Sequence, residues 1–524
     1  MTNSSVASLS LRSYIAYIVY SAGSQAISAP LDSPLTGDPR VGCMANFDVA
    51  HRTTKLPAVG SAPTPDGPRG RPLPVLMCGT FVIVLDFFIV NVALPSVQTQ
   101  LNASSSAVEW VVAGYGLTFA VLLIAAGRLG DRYGRRRVFC IGLGLFALAS
   151  ALCGLAPTAA VLVAARLAQG IGGALIAPNV LSVIGVTYPG PARVRAITVY
   201  GIVMGLDAAT GQLIGGILIA ANPLGLGWRA VFLINVPVCI AALTCAPRFV
   251  AESRAAQASS LDVRGMALVT AALTALVLPL VEGTQLHWPA WTWASLALSP
   301  ILLVLFVGSQ LRSARRGGTP LLDPKVFRQR ALAAGLVTQL AFWCGQASFF
   351  LVLALYLQQG RGLDALHAGL TFSILAVAYL AASLRAPALT LRLGRDLIAA
   401  GALTLAAGEG ALLLTVALSG SSAPVGWLTP GLLLVGAGMG LGITPLTTTV
   451  MAHADPQQAG AVAGALSTMQ QVGNSLGVAI TGVIFFGALA DGYERAFALS
   501  LAQLGCLLVA VAAATRLLPG RAGR

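Results

Sequence analysis

Between two long apolar runs the chain carries a short polar stretch, GRLGDRYGRRRVF, from Gly127 to Phe139. It holds five arginines (Arg128, Arg132, Arg135, Arg136, Arg137), one acid (Asp131) and three glycines (Gly127, Gly130, Gly134). Charges at this density are too costly for hydrocarbon, and the flanking runs are too apolar to lie in water. The stretch therefore reads as a charged tight turn at a membrane face. An excess of arginine in a short loop marks the cytoplasmic side, so this turn orients every apolar segment before and after it.

Composition sets the class. Hydrophobic residues make up 56% of the 524, charged residues only 10%, and the mean hydropathy is +0.81. The polar surface that a soluble chain of this length needs is missing. From Pro74 onward, runs of about 18 to 25 mainly apolar residues, long enough to cross a ~30 Å hydrocarbon core, alternate with short polar loops. Fourteen spans are expected, near 74–96, 107–126, 138–156, 159–184, 195–220, 228–247, 263–282, 291–311, 331–357, 366–384, 396–418, 425–449, 460–487 and 495–517.

The formal charge of +14 would suit a nucleic-acid partner in a soluble chain, so the position of each charge decides its meaning. With both termini cytoplasmic, the inside segments take the basic residues of the tail and of the opening turn, then Arg193, Arg195, Arg248, Arg254 and Arg264. They also take Arg312, Arg315, Arg316, Lys325, Arg328, Arg330, Arg385, Arg392, Arg395, Arg516, Arg521 and Arg524. Only Arg229, Arg361 and Arg495 fall outside, and Arg166 lies within a span. The charge is therefore topological. A multi-pass plasma-membrane protein without a nucleic-acid partner is expected.

The ends and the remaining motifs narrow the chemistry. Residues 1–72 are rich in Ser, Thr, Pro and Gly and read as a disordered cytoplasmic tail. Its one apolar run, Tyr14 to Ala29, resembles a weak signal peptide, and Met44 offers an alternative start that would remove residues 1–43. Two lysines beside thirty arginines, with abundant Ala and Gly, suggest a GC-rich genome. The eight cysteines are dispersed without a CxxC pair, so neither a disulfide framework nor a metal site is expected. Neither Lys55 nor Lys325 follows a glycine, so there is no Walker phosphate loop. His51, His287, His367 and His453 are scattered, with no catalytic triad spacing, and no enzyme activity is expected.

Two polar stretches divide the spans. Residues 73–247 and 331–524 each hold six spans, and 248–330 holds two more with a polar segment, Arg312 to Arg330, containing LLDPKVF. The expectation is an all-α polytopic membrane protein with an N-terminal and a C-terminal six-helix bundle joined by two linker transmembrane helices. Repeated halves with a site at their interface are the usual secondary-transporter plan. An ion gradient then supplies the energy, with no cofactor. Proton coupling needs a carboxylate that changes charge inside the membrane, and Asp86, Asp207 and Glu409 are the candidates. Arg166 cannot be neutralised by deprotonation and needs a carboxylate, a carbonyl or a water cavity, unless it snorkels to the outer face.

GRLGDRYGRRRVF resembles motif A of the major facilitator superfamily, and further stretches resemble its fourteen-span drug:proton antiporters. They are LDFFIVNVALP (Leu85 to Pro95), LVAARLAQGIGGAL (Leu162 to Leu175), WRAVFLINVP (Trp228 to Pro237) and AGALSTMQQVGNSLGVAI (Ala463 to Ile480). The resemblance implies a major facilitator fold and proton-driven export of antibiotics or other amphipathic lipophiles by alternating access. It implies that Arg166 serves a proton relay beside Asp86. It also implies that Gly127, Gly130, Asp131, Arg132, Gly134, Arg135 and Arg136 lock the inner gate, Asp131 being favoured by the amides that open the third span. The motif C position of the fifth span departs from the family: DAATGQLIGG has Asp207 for a small residue and Gln212 for proline. Gly211, Gly215 and Gly216 still permit close helix contact, and the face that Gly211 and Gly215 share with Asp207 is expected to meet the opposite bundle.

Asn91, Tyr115, Gln169, Gln339, Trp343, Gln346, Tyr356, Gln470 and Asn474 are the cavity candidates, a mixture of aromatic and amide groups suited to adaptable binding of lipophilic small molecules. Trp110, Asn179 and Phe349 belong to the same wider set. The partners expected are such a substrate, protons and the bilayer, with the chain a monomer. An importer or symporter of a small metabolite on the same fold is the alternative, and a non-transporting sensor a third.

Overall fold

The computed structural model of the chain describes residues 72–524 apart from 256–261, 319, 322–328, 420–423, 453–458 and 519–524. The expected tail, save Pro72, and nearly all of the LLDPKVF segment lie outside the described residues. Every regular element among the described residues is helical. In chain order the long helices are α1 Pro72–Gln100, α2 Ser105–Tyr133, α3 Arg135–Gly154, α4 Ala159–Thr187, α5 Gly190–Ala221, α6 Gly227–Phe249 and α7 Val263–Gly283. They continue as α8 Ala290–Arg315, α9 Arg330–Leu355, α10 Ala365–Leu393, α11 Arg395–Ser419, α12 Thr429–Ala452, α13 Ala459–Gly487 and α14 Tyr493–Ala514. Among the described residues, twelve candidate spans are long and apolar enough to cross a membrane. The other two long helices are α5, whose apolar stretches Arg195–Met204 and Thr210–Ala221 flank Asp207, and α13.

Helix starts are written in capping residues. Ser104 accepts from the amide of Ala107 (3.2 Å) to open α2, Thr158 from Val161 (3.4 Å) to open α4, and Asp364 from His367 (2.8 Å) to open α10. A helix of 29 residues such as α2 is roughly 43 Å long at 1.5 Å per residue, more than the hydrocarbon thickness. Charged ends can therefore wind on as helix beyond the bilayer core. That corrects the expected tight turn: Gly127 to Tyr133 belong to α2, Arg135 to Phe139 to α3, and Gly134 alone breaks the helix, at φ 114°. A Cβ at Gly134 would also lie 2.7 Å from the Glu252 carboxyl carbon, so glycine is required there twice over. Gly394, at φ 58°, repeats the device between α10 and α11.

Helices α1–α6 pack among themselves, α1 on α5 and α6 and α4 on α2 and α3, while α12 gathers α10 and α11, and α14 packs on α9 and α11. Between the two sets the second helix of each packs on the fifth of the other, α2 on α13 and α10 on α5. These seams are tight near the end opposite the arginine stretch. A Cβ at Gly369 would lie 2.8 Å from the Gln212 carbonyl oxygen, and one at Gly116 would lie 2.6 Å from Ser475 Oγ. At the same end α9 widens into a π-helical turn over Tyr356–Gly360. Gln358 there donates to the Val92 carbonyl (3.0 Å) and Gln359 to Gln98 Oε1 (2.8 Å) on α1. Phe350 of α9 meets Phe88 of α1 edge-on (5.1 Å between centroids) and stacks on Phe372 of α10 (5.7 Å), filling the junction between halves.

The linker pair α7–α8 lies along α2 and α13 through α7. At one end Trp110 donates to Glu282 (2.8 Å) and Ser106 to Gln285 (2.5 Å). At the other, Gln310 joins Asp262 (2.7 Å) to the amide of Leu321 (2.5 Å), and Arg128 donates to the Pro320 carbonyl.

Candidate functional site

Asp86 and Arg166 are fully buried and paired with each other, across α1 and α4. The arginine does not snorkel. Its Nε donates to the Val111 carbonyl (2.8 Å), its Nη1 also reaches Gln169 Oε1 (2.8 Å), and its guanidinium lies 4.4 Å from the centre of the Tyr115 ring. The other carboxylate oxygen of Asp86 accepts from Gln169 Nε2 (2.8 Å) and from Asn235 Nδ2 (2.9 Å). Ser150 Oγ accepts from Gln169 as well (2.7 Å). Helices α4 and α6 thus reach the carboxylate of α1 directly, and α2 and α3 contribute through Arg166, Gln169 and Asn235.

A buried pair survives only when its remaining hydrogen-bonding capacity is filled, and deleting one partner of such a pair costs about 3–5 kcal/mol. Here amides fill what the arginine leaves open. Protonating Asp86 would cancel the charge that holds Arg166, while both amides could turn to keep contact. The pair and its amides thus form one closed hydrogen-bonded unit inside the first six helices.

The other acids stand apart from it. Asp207, on α5, is buried and its Oδ2 has no partner among the described residues. Glu409, on α11, is buried, neither of its oxygens has a hydrogen-bond partner among the described residues, and Gly505 of α14 lies near it. The glycine face of α5 needs correction. A Cβ at Gly211 would lie 3.1 Å from Phe88 and one at Gly215 would lie 2.8 Å from Ile89, both on α1 of the same half. Residues 207, 211 and 215 share that face, one turn apart, whereas Gln212 and Gly216 stand about 100° round the helix and meet α10 of the other half.

In the arginine stretch Asp131 pairs with Arg135 (2.7 Å), joining the last turn of α2 to the first of α3. It does not hold the amides that open α3. Glu252 does, accepting from Arg136 N (3.1 Å) and Arg137 N (3.2 Å), where the helix dipole favours an anion. Arg136 in turn donates to the Val250 carbonyl (3.2 Å), and the Arg135 amide to that of Ser253 (3.0 Å). Gly130 stands against Asn179 of α4, whose Nδ2 donates to the Ala126 carbonyl (3.3 Å). Gly127 lies near Pro178 of α4, and Arg132 is exposed, its guanidinium 5.5 Å from the Tyr133 ring centre.

The cavity candidates separate. Gln169 and Tyr115 belong to the Asp86 network, and Tyr356 is buried in a stack on Phe497 (4.3 Å). Asn91 turns back on the Phe87 and Phe88 carbonyls of its own helix. Gln339, Trp343 and Gln346 share one side of α9, where Gln339 Oε1 and Trp343 Nε1 have no partner among the described residues. Trp343 lies beside Gly473 of α13, between Gln470 and Asn474, and Asn474 donates to Gln471 (3.0 Å). Amide and indole groups thus lie together on α9 and α13.

Asn235, Ser150, Glu252, Glu109 and Glu282 were missed by sequence reasoning. Asn235 had a signal, an amide inside WRAVFLINVP, and the two span-end acids a weaker one. Among the described residues no group of three or more His, Cys, Asp or Glu could hold a metal, and seven cysteines are free.

Residues 76–478 match the family model described as Major Facilitator Superfamily. A probable actinorhodin transporter of Streptomyces coelicolor is 39% identical over 445 residues, 83% of this chain and 77% of that protein. The cephamycin export protein CmcT of Amycolatopsis lactamdurans is 35% identical over 463 residues, 86% of this chain and 92% of its own. The tetracenomycin C resistance and export protein of Streptomyces glaucescens is 34% identical over 450 residues, 84% and 81%. Among solved structures, an auto-inhibited POT family peptide transporter superposes with a TM-score of 0.64 at 18% identity, over 85% of this chain and 97% of that one. A D-xylose-proton symporter gives 0.61 at 18%, over 87% and 99%.

Proposed function

The chain belongs to the major facilitator superfamily, and we propose that it exports antibiotics or other amphipathic lipophilic compounds across the plasma membrane, driven by protons moving inward. The observation that carries this reading is the Asp86–Arg166 pair with its ring of amides, a buried charge that one proton can switch. The named export functions of the relatives support the substrate class.

The halves are proposed to be residues 73–247 and 331–524, with 248–330 supplying two linker spans, for fourteen in all, and 1–72 a cytoplasmic tail. Both termini then face the cytoplasm, and the end at which the halves meet faces outside. The described arrangement is in that case open inward, ready to load from the cytoplasm or inner leaflet. Protonation of Asp86 from outside would release Arg166 and alter the packing of α1 against α4, and the proton would leave to the cytoplasm when the pair re-forms. Asp131, Arg135, Arg136 and Glu252 hold the inner ends of α2 and α3 as one unit. Gln339, Trp343, Gln346, Gln470 and Asn474 are proposed as substrate contacts. Asp207 and Glu409 are proposed as secondary proton sites. The protein works as a monomer and has no enzymatic activity or cofactor.

The test is a susceptibility panel of lipophilic antibiotics in a sensitive host with and without the gene, repeated after collapse of the pH gradient. Resistance to some compounds, lost on collapse, is expected. An unaltered panel together with energised uptake of a metabolite would overturn export.

A further inference from the structure

Glu109 plays no part in the Asp86 network, yet it is buried at 2% exposure. It stands in the first turns of α2, at the end where the halves meet, against Gly482 of α13 in the opposite half. A Cβ at Gly482 would collide with its carboxylate. Its Oε2 has no hydrogen-bond partner among the described residues. The nearby acid is Glu282 of the linker helix α7, close enough to raise the cost of a second charge. Glu282 accepts a hydrogen bond from the indole N–H of Trp110 (2.8 Å).

Among the described residues no cation offsets Glu109. Of the helices packed against α2, α13 carries no charged residue, and α7 has Glu282 here and Arg264 at its far end. The charged residues of α3 are Arg135, Arg136 and Arg137 at the other end, while Asp86 of α1 and Arg166 of α4 are committed to each other. Glu109 is buried with its Oε2 lacking a donor, whereas Glu282 is half-buried and holds the Trp110 donor, so of the two carboxylates Glu109 is the one on which a charge is costlier.

We infer that Glu109 is a proton-operated latch: the α2–α13 seam closes with a proton on Glu109 and opens when the proton leaves, with the linker helix setting the threshold through Glu282. The proton is taken from the aqueous phase at that end on closing and returned to the same phase on opening. It therefore sets the balance between open and closed states and is not carried across. Resting on the proposed export cycle, the latch gives outside acidity a second role, closing the seam after release so that the transporter resets for loading. It also gives the linker pair a task in transport beyond joining two halves.

The test uses spin labels at Thr99 and Ala490, exposed sites on the two halves at this end, in the full chain with native cysteines replaced, in lipid nanodiscs without substrate or gradient. The distance between them should lengthen as pH is raised. Glu109→Gln should stay short at every pH, and Glu282→Gln should lengthen at a pH lower by about one unit or more, since removing the neighbouring anion weakens proton binding. Gly482→Ala should favour the long distance throughout, showing that the seam itself is being read.

Asp86→Asn should abolish proton-driven export yet keep the pH-dependent distance, which separates the latch from the export reading. A wild-type distance that ignores pH, or a pH response equal in Glu109→Gln and wild type, would overturn the latch even if export is proton-driven. A response lost in Glu109→Gln upholds it even if the substrate class is wrong.

Discussion

The joint between α2 and α3 and the joint between α10 and α11 occupy equivalent places in the two halves and solve one problem with different chemistry. Each turns on a single glycine at positive φ, Gly134 or Gly394. Each places an arginine on carbonyls just past the sixth helix of its half, Arg136 on Val250 and Arg395 on Leu518 (2.5 Å). The first joint adds two carboxylates, Asp131 bridging α2 to α3 and Glu252 on the amides of α3, whereas the second has only Asp396, 3.9 Å from Arg395 with its side chain 80% exposed. The core repeats the contrast. The first half holds a network in which both carboxylate oxygens of Asp86 are partnered, and the second a Glu409 with no hydrogen-bond partner among the described residues. Charge handling is concentrated in one half, leaving the other to present amides and aromatics.

The sharpest break of this contrast comes from its two buried sites. Arg166→Ala should cost about 3–5 kcal/mol because Asp86 is left charged and unpaired, seen as a large drop in thermal unfolding temperature in detergent. Glu409→Gln should be neutral or stabilising, since no partner is lost. Equal losses would erase the asymmetry between halves.

Much of the first site was legible. Asp86 and Arg166 are the costliest side chains of their spans, and each can be satisfied by the other, so residue type alone pairs them. Gln169 reads in sequence as a cavity residue, because an amide can serve a ligand or a carboxylate equally well and spacing does not decide. Asn235 and Ser150 come from helices whose approach to Asp86 exists only in three dimensions. The α2–α3 joint is legible in its charges but its helicity is not: polar residues mark where a helix leaves hydrocarbon, not where it ends. Glu252 lies 116 residues from the amide it caps, beyond any local pattern. On α5, sequence fixed which residues share a face and left open which neighbour that face meets.

The next effect is at the joints. Glu252→Gln should lower stability by about 1–2 kcal/mol through loss of an anion on exposed helix amides. Asp396→Asn should stay within about 0.5 kcal/mol, as exposed charges do. Chemical unfolding of the two purified variants would show them equal if the second joint is also held by charge.

The smallest effect separates the caps of the second helices. Ser104→Ala should weaken the start of α2 by about 1 kcal/mol at any pH. At α10 the His367 amide, then its side chain, hold the Asp364 carboxyl below the usual range. That stabilisation is present above the ordinary carboxylate range and is lost as pH falls through the lowered folded value. Asp364→Asn should therefore remove a pH dependence confined to acid, below about pH 4. Hydrogen exchange at the first turn of α10 across that range measures it, and an Asp364→Asn profile matching wild type would discard the assignment.

The central claim is that one proton at Asp86 drives export, and the direct measurement is lipophilic-drug transport in proteoliposomes under an imposed pH gradient, wild type against Asp86→Asn. Wild type should move drug against its gradient while protons flow the other way. The variant, folded and still binding drug, should show at least about a tenfold loss of gradient-driven transport, equivalent to some 1.4 kcal/mol, with exchange at equal pH retained. Gradient-driven transport by Asp86→Asn at the wild-type rate would contradict it.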